Sequence, residues 1–355
     1  MLNFSFLGDI SLNGNYIEQY KRNENPFGSL KDVFAGKDFV VGNLECIAKG
    51  DFGENLAKKP RLTTTVDTLN YLHTIPVNIV SLAQNHIYDH LEDGFNKTSQ
   101  FLEDNNIKYI GASKNKETAA HPLILDKNGI KIGLLNFVSE DTNPSIPLDA
   151  NVYVNIFSIE NAIGSIQILK KQVNHVVVLL HWGGRVEGGL YPDFNQPQIA
   201  RQLIDAGADL IIGHHSHTIQ PFEQYKNKYI FYSLGNFCFS DYVFENKFNP
   251  ISKRQNISSI LNIKFTKTVY EIDLQIFKNE KSRFKLTNYK NKLRFRNCIF
   301  QLIRMNYILW RFYFFHKSYI LPFIIFIQRR DITFFGKIRR IVDSVWKKAR
   351  KALKT

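Results

Sequence analysis

Cysteine is scarce in this 355-residue chain: it has three, Cys46, Cys238 and Cys298, and they lie far apart. An odd number of cysteines without a C-x-x-C pair argues against a disulfide framework or a zinc ribbon and favours a reducing compartment. Gly/Ser-rich linkers and internal repeats are missing as well, so the length indicates one large domain or two. No basic, hydrophobic leader precedes the first predicted strand, and we therefore expect a cytoplasmic protein.

Acidic residues are scarce in the last part of the chain. Residues 278–355 contain 21 Lys and Arg but only three Asp and Glu, a net charge of +18, whereas residues 1–277 carry a net charge of −4. This contrast predicts a domain over 1–277 and a separate basic, aromatic-rich extension over 278–355.

The extension also lacks a hydrophobic run that could span a bilayer. Its longest uncharged run covers residues 318–328, whereas a span needs about 20 residues. Residues 329–353 place Ile and Val on one helical face and Lys and Arg on the other, which is typical of a helix in an anionic membrane interface. We therefore predict peripheral attachment to the inner face of the cell membrane. A helical cap packed on the first domain is the alternative, and nucleic acid is disfavoured because no DNA- or RNA-binding motif is present.

What the chain does have is a repeated pattern of short apolar runs that lead into Asp, Glu, Asn or His. The runs are residues 4–9, 39–45, 78–86, 175–183, 209–217 and 229–237. Such runs predict strands buried on both faces, as in parallel sheets. Helical patterns at 89–107 and 195–208 indicate βαβ units, and Asn128-Gly129 within 123–137 predicts a hairpin. Together these features predict an α/β sandwich of sheets with helices outside.

The polar residues at these strand ends are mostly metal-ligand types. In open α/β sheets, ligands bind outside the carboxyl ends of the strands. The residues expected there are Asp9, Glu45, Asn85, His86, His181, His214, His215 and His217. A single His after a strand is more often a structural residue, but repetition at several strand ends favours a metal site. His86 and Asp89 lie just past one strand, where a His that is not a ligand could act as a general acid or stabilise charge.

Seven ordered motifs extend this interpretation to a family. They are GDISLNG, VVGNLE, VSLAQNHIYDH, YIGASKNKETAAHPLIL, HWGGRVE, IGHHSHTIQPFE and IFYSLGNF. They resemble the capsule-synthesis protein CapA family of poly-gamma-glutamate biosynthesis, which is similar to calcineurin-like metallophosphoesterases. The resemblance covers roughly residues 2–240. It implies a four-layer α/β/β/α sandwich and a role in assembling or processing an extracellular polymer, either polyglutamate or a polysaccharide.

The resemblance also implies a role for each site residue. Asp9 and His217 would hold one metal, Glu45 would bridge, and Asn85, His181 and His215 would hold a second. His86 would be the catalytic histidine beside Asp89, and Glu187 matches an acidic position near the site. The remaining matches are Ser233, Asn236 and Phe237, which would shape the floor, and His214, at a position that the family fills variably. The implied cofactors are one or two Mn, Zn or Fe ions.

Two positions depart from the metallophosphoesterase pattern. Ser11 stands where those enzymes usually have a His, and Glu45 stands in place of Asp. Two functions therefore stay open. The first is a metal-dependent hydrolase or transferase, and the second is a non-catalytic polymer-handling or scaffold component of a capsule synthesis machine. In both cases the expected partner is a polyanionic or polysaccharide polymer or its precursor.

Overall fold

The structure is a computed structural model, and it describes residues 1–280 and 283–320. The chain divides into two compact units, Met1–Phe300 and Gln301–Thr355. The strands of the described residues all belong to the first unit. They are β1 Leu2–Ile10, β2 Phe39–Leu44, β3 Ile47–Ala48, β4 Thr63–Thr64, β5 Ile79–Ser81, β6 Lys108–Ile110, β7 Ala112–Ser113, β8 Leu123–Lys127, β9 Ile130–Val138, β10 Tyr153–Val154, β11 His175–His181, β12 Leu210–His214, β13 Phe222–Tyr225, β14 Lys228–Phe231, β15 Asn236–Cys238, β16 Tyr242–Phe244, β17 Lys247–Asn249, β18 Ile257–Phe265, β19 Tyr270–Glu280 and β20 Arg283–Leu286.

The α-helices of the described residues range from single turns to four turns. They are α1 Asn15–Lys21, α2 Lys31–Phe34, α3 Tyr71–Thr74, α4 Leu91–Asp104, α5 Lys116–Ala120, α6 Ile159–Lys170, α7 Gln196–Asp205, α8 Lys290–Ile303 and α9 Tyr307–Phe315. Helices α4 and α7 confirm the helical patterns predicted at 89–107 and 195–208.

The first large sheet has the order β20-β19-β18-β1-β2-β5-β6, and β15 also pairs with β1. Strands β1, β2, β5 and β6 are parallel, whereas β18, β19 and β20 continue the sheet antiparallel from β1. The parallel half contains three of the six apolar runs predicted as buried strands, in β1, β2 and β5. Their carboxyl ends consequently lie at one edge of the sheet.

The second large sheet has the order β13-β14-β12-β11-β9-β8. Its four inner strands are parallel, and antiparallel hairpins close both sides. The hairpin of β8 and β9 turns at Asn128 and Gly129, whose φ angles are 55° and 69°. Two successive positive φ angles are what a tight two-residue hairpin turn requires, so the predicted Asn-Gly hairpin is confirmed.

The two sheets pack face to face through apolar side chains. Phe4, Phe6 and Val41 of the first sheet share one buried cluster with Leu134 and Leu179 of the second. On the outer face of the first sheet, α4 supplies Phe95, Phe101 and Leu102 to a separate cluster. Helices α6 and α7 contact the second sheet and each other, and Leu169 of α6 lies so close to Gly133 that a β-carbon there would approach it to 2.7 Å. The predicted four-layer α/β/β/α architecture is confirmed.

The predicted boundary at residue 277 lies inside β19 and differs from the division of the structure at Phe300. Strand β20 pairs with β19, and Leu293 of α8 packs with Ile219, Ile257 and Ile276. These contacts place residues 283–300 in the first unit although their composition matches the basic extension.

In the second unit, the Asn306 side chain caps α9 by accepting hydrogen bonds from the backbone of Ile308 and Leu309 at 3.0 and 3.1 Å.

The membrane-interface helix predicted over 329–353 lies outside the described residues and stays a prediction. Among the helices that the structure describes, none combines the length and the hydrophobicity needed to cross a bilayer.

A buried carboxylate joins three elements of the second sheet and its helical layer. Asp209, directly before β12, is 3% exposed. Its Oδ2 accepts from Lys170 Nζ at 2.5 Å and from the backbone of Val176 at 2.9 Å, and its Oδ1 accepts from Lys228 Nζ at 2.5 Å. Burial alone would raise the pKa of Asp209, but the bonds from both lysines and Val176 lower it below its ordinary value.

We expect Asp209→Asn to destabilise the first unit by about 2–4 kcal/mol at pH 7, because it leaves buried or half-buried ammonium groups without their counter-charge. A carboxylate whose folded-state pKa is lowered stabilises the fold above its unfolded-state pKa and loses that effect as the pH falls toward the folded-state value. The difference between wild type and variant should therefore shrink at pH 3. Urea denaturation at the two pH values measures it.

Asp205→Asn is the matched control, because Asp205 pairs with Lys226 at the surface. Its effect should be much smaller. A loss for Asp209→Asn that is equal at both pH values would contradict the electrostatic explanation.

Candidate metal and active site

The site lies where the carboxyl ends of five strands meet. Asp9 is the next-to-last residue of β1, and Glu45 directly follows β2. Asn85 and His86 follow β5, His181 ends β11, and His214 ends β12 with His215 and His217 just beyond it. Because these five strands run parallel within their own sheet and the sheets are stacked, their carboxyl ends open into the same place. The structure thus brings together all six residues predicted as metal ligands.

Glu45 lies at the centre of this cluster and is completely buried. Its Oε1 is 3.6 Å from His181 Nε2, and its Oε2 is 3.7 Å from His217 Nδ1. Neither oxygen accepts a hydrogen bond from the described residues. Two sets of ligand atoms meet around it within 4.8 Å of one another: Asp9, Glu45 and His181, and Glu45, His215 and His217.

His181, His215 and Asn85 form one side of the cluster. His181 Nε2 is 2.9 Å from Asn85 Oδ1 and 3.0 Å from His215 Nδ1. The remaining nitrogen of His215, Nε2, is buried and has no hydrogen-bond partner among the described residues. Asn85 Oδ1, His181 Nε2 and His215 Nδ1 all carry lone pairs. At these distances they repel one another unless a proton or a cation lies between them.

Asp9, His214 and His217 form the other side. His214 Nδ1 is 3.2 Å from Asp9 Oδ1, and His217 Nδ1 is 3.5 Å from Asp9 Oδ2. His214, which the resemblance left as the weakest candidate, is therefore in direct contact with Asp9. His217 Nδ1 also lies 2.9 Å from Asn236 Oδ1, and Asn236 belongs to the SLGNF segment predicted to shape the floor.

The SLGNF segment can reach the site because β1 has no side chain at Gly8. A β-carbon at Gly8 would lie 1.9 Å from the carbonyl oxygen of Gly235. The backbone N–H of Asp9 donates to that same oxygen at 2.9 Å. Gly8 therefore allows the approach that places Asn236 beside His217. Of the other floor residues, Ser233 and Phe237 are both buried.

His215 and His217 have backbone conformations that non-glycine residues rarely adopt. Their φ angles are 85° and 58°. Such conformations cost free energy and persist where the surrounding structure holds them, often at functional sites. Here they turn two imidazoles from one short segment toward Glu45.

Charge in the cluster is distributed unevenly. Burial raises the pKa of Glu45 well above its ordinary value, with Asp9 adding to the effect. Burial lowers the pKa of His181 strongly and that of His215 to about 3, so both imidazoles are neutral at pH 7. Burial opposes the proton on His217, yet the carboxylates of Glu45 and Asp9 raise its pKa to about 10. For Asp9, burial opposes ionisation, but the imidazoles of His214 and His217 at 3.2 and 3.5 Å outweigh it and lower the pKa.

These observations fit a divalent cation. The neutral imidazoles have lone pairs available, Glu45 has two buried oxygens without hydrogen bonds, and two carboxyl groups, those of Glu45 and Asp9, lie beside one another around His217. Carboxylate, imidazole and amide oxygen are ligands that Zn, Mn and Fe accept. The site therefore contains residue groups that could hold metal ions.

His86 and Asp89 form a separate pair beside the cluster. Asp89 Oδ2 is 2.7 Å from His86 Nδ1 and also accepts from the backbone N–H of Leu62 at 2.6 Å. The backbone of His86 donates to the side chain of Gln84. His86 is thus fixed at its Nδ1, which leaves Nε2 as the atom that can exchange a proton with a bound molecule.

The cluster opens into a cavity of about 410 Å³. Asn85, His86, His215 and His217 line it together with Glu187, whose side chain is 57% exposed and whose Oε1 is 3.9 Å from His217 Nε2. Glu187 therefore lies at the rim. Asp9, Glu45, His181 and Asp89 do not line the cavity and lie behind its wall.

The sequence-based interpretation missed three residues of the site. Asn43 donates to Asp9 Oδ1 at 2.9 Å and lies 3.3 Å from His181 Nδ1. Phe239 packs edge-on against His217 at 4.9 Å between ring centroids, and Lys58 lines the cavity wall. For Asn43 a signal was present, since an Asn two residues before Glu45 interrupts an apolar strand.

Comparison with known proteins places the chain in a family. Residues 3–241 match the model of the family described as "Bacterial capsule synthesis protein PGA_cap". The chain belongs to this family. The PGA_cap match covers β1 to β15 and all the residues of the site described above, so the resemblance predicted from the motifs is confirmed.

Two proteins similar in sequence to this chain are described as CapA proteins. The chain is 30% identical over 253 residues to "PGA biosynthesis protein CapA" of Bacillus subtilis (strain 168), a match that covers 67% of this chain and 63% of the relative. It is 28% identical over 247 residues to "Capsule biosynthesis protein CapA" of Bacillus anthracis, covering 67% of this chain and 60% of the relative. The chain thus spans less than two thirds of each of these relatives.

Among solved structures, the chain is similar to a putative 5′-nucleotidase of Staphylococcus aureus in complex with alpha-ketoglutarate. The similarity has a TM-score of 0.48 at 12% identity and covers 84% of this chain and 58% of that chain.

Proposed function

We propose that this protein is a metal-dependent hydrolase or transferase that acts in the biosynthesis of a capsule or surface polymer, either poly-gamma-glutamate or a polysaccharide. One observation carries the proposal: Glu45, with two buried oxygens that lack hydrogen bonds, is surrounded by metal-ligand side chains, and two of these, His215 and His217, line a cavity. Membership of a capsule synthesis family supplies the biological context.

Two groups of residues would hold the metal ions. Asp9, Glu45 and His181 form one, with Asn85 beside His181, and Glu45, His215 and His217 form the other. This division exchanges His181 and His217 relative to the one that the resemblance implies. When bound, Mn, Zn or Fe would supply Lewis acidity to an oxygen of the reacting group. The floor of the cavity would thus orient the bond to be broken.

His86 would act as the general acid. Its Nδ1 is held by Asp89 at 2.7 Å, and its ring lines the same cavity as the metal cluster. Nε2 would therefore be positioned to give a proton to a leaving group. Glu187 at the rim would add negative charge near His217.

A non-catalytic role in handling the polymer is the second candidate. It is favoured by the state of Asp9, whose Oδ1 already accepts a hydrogen bond from Asn43 and lies 3.2 Å from His214. With Ser11 where metallophosphoesterases usually have a His, the Asp9 side offers few free ligand atoms. This arrangement is compatible with one structural metal.

The test is metal analysis followed by turnover. We expect the purified protein to retain one or two divalent ions per chain, and to cleave a generic phosphodiester or a gamma-glutamyl anilide when Mn²⁺ is added. The metal-stripped protein is the control and should be inactive. A protein that binds metal tightly and turns over neither substrate would support the handling role over the enzymatic one.

A further inference from the structure

A lysine on the cavity wall has no role in the metal site or in the His86 pair. Lys58 lies in the loop between β3 and β4 and is 2% exposed. The loop is held in place by its own backbone contacts: Lys58 N donates to Asn55 O at 3.1 Å, and Arg61 Nη1 donates to Lys58 O at 2.8 Å. Arg61 in turn pairs with Glu54 at 2.7 Å. The position of Lys58 is therefore fixed by the loop around it.

The ammonium group of Lys58 is incompletely satisfied. Its Nζ donates to the carbonyl oxygen of Asn143 at 2.5 Å, and this is its one acceptor among the described residues. An ammonium has three N–H donors, and a buried charge is costly unless it is paired. No carboxylate of the described residues lies within ion-pair distance of it, although burial lowers its pKa while Asp89, Glu45 and Glu187 oppose that effect from further away. The unused donors belong to a residue that lines the cavity.

We propose that Lys58 forms an anion subsite that binds a carboxylate adjacent to the reacting bond of the substrate. This inference rests on the proposed function, because the metal cluster at the floor would receive the reacting group and leave Lys58 to recognise a second, separate group. A polymer of gamma-linked glutamate has a free carboxylate beside every bond, whereas a neutral polysaccharide has none.

The charges around the cavity favour a carboxylate over a phosphate at this subsite. Asp141 and Glu187 line the same cavity, and they repel a doubly charged phosphate more than a singly charged carboxylate. The subsite therefore selects for an acidic chain with one charge per unit.

The experiment compares two substrates that differ in one group. The first is gamma-glutamyl anilide with a free α-carboxylate, and the second is the same compound with an α-carboxamide. We expect the metal-loaded wild type to prefer the carboxylate by roughly 10–100-fold in kcat/KM, mainly through KM, as a charge-assisted hydrogen bond predicts. Lys58→Gln should lose this preference, and Lys58→Arg should keep part of it.

The matched control is Lys49→Gln, because Lys49 is an exposed lysine outside the cavity. It should leave the preference unchanged. Lys58→Met retains the length of the apolar stem and serves as a second variant if Lys58→Gln does not fold. The comparison of acid and amide in the wild type needs no variant at all.

Calorimetric binding of the two compounds separates this inference from the proposed activity. If the wild type turns over neither of these compounds nor the phosphodiester, the proposed activity fails, but tighter binding of the carboxylate that is lost in Lys58→Gln would still support the subsite. Equal binding of acid and amide by the wild type would overturn it. A preference for the carboxylate that survives in Lys58→Gln would also overturn the Lys58 subsite. Equal turnover of acid and amide would overturn the subsite while leaving the proposed activity in place.

Discussion

Replacing His215 or Asn85 with alanine is expected to remove bound metal while leaving the fold intact. His215 Nε2 is buried without a partner in the described structure, and Asn85 Oδ1 lies 2.9 Å from His181 Nε2, so each side chain faces the cluster and not the apolar core. Removing a residue that only holds a metal ligand in place typically weakens metal binding by about 10–100-fold. Removing a side chain that binds the metal directly should weaken metal binding by at least about 100-fold. Elemental analysis after dialysis, beside a circular dichroism melt, measures both parts of the expectation.

His121→Ala is the matched control for this experiment. His121 is exposed and follows α5, away from the residues that line the cavity. Its variant should bind as much metal as the wild type. If the His215 and Asn85 variants also keep the wild-type stoichiometry, the ligand assignment is wrong.

The arrangement around Glu45 predicts that metal binding stabilises the fold. A buried carboxylate without hydrogen bonds destabilises the fold, and the left-handed φ angles of His215 and His217 add strain. Both costs are localised at the site, while the apolar clusters on either side of each sheet stabilise the rest. A bound cation would offset them, so we expect the metal-loaded protein to melt at a higher temperature than the stripped protein.

Much of the fold, and the meeting of the site residues at one place, could be predicted from the sequence. The reason is that the carboxyl ends of parallel strands lie at the same edge of a sheet. Uninterrupted apolar runs identified β1, β2, β11 and β12, and polar residues directly after such strands must lie at one edge. Asp9, Glu45, His181 and His215 follow from that rule alone. The Asn128-Gly129 turn followed from local backbone preference.

Other features depended on contacts between distant parts of the chain and could not be predicted in this way. Lys58 looks like any surface lysine, and only the packing of its loop against Asn143 buries it. The basic composition of the segment after β19 indicated a separate extension, whereas Leu293 of α8 packs with the distant Ile219 and Ile257 and so ties that segment to the first unit. The contact of His214 with Asp9 depends on how the two sheets are stacked.

His86→Ala is expected to lower kcat by roughly 10²–10⁴, the usual contribution of a positioned general acid or base, while metal content stays unchanged. The reason is geometric. His86 lines the cavity, but neither set of atoms that could hold a metal ion includes it. Its Nδ1 is taken by Asp89 at 2.7 Å. Turnover of whichever substrate the wild type cleaves, measured beside elemental analysis, tests both halves of the expectation.

Asp89→Asn makes the role of the pair testable in a second way. The amide can still lie beside the backbone N–H of Leu62, but it no longer offers a carboxylate to His86 Nδ1. Activity should fall by less than in His86→Ala, because the imidazole remains in the cavity wall but is no longer held at Nδ1 by a carboxylate. His121→Ala again supplies the control, with wild-type activity. Loss of metal from the His86 variant would instead identify His86 as a ligand, and an unchanged kcat would exclude it from proton transfer.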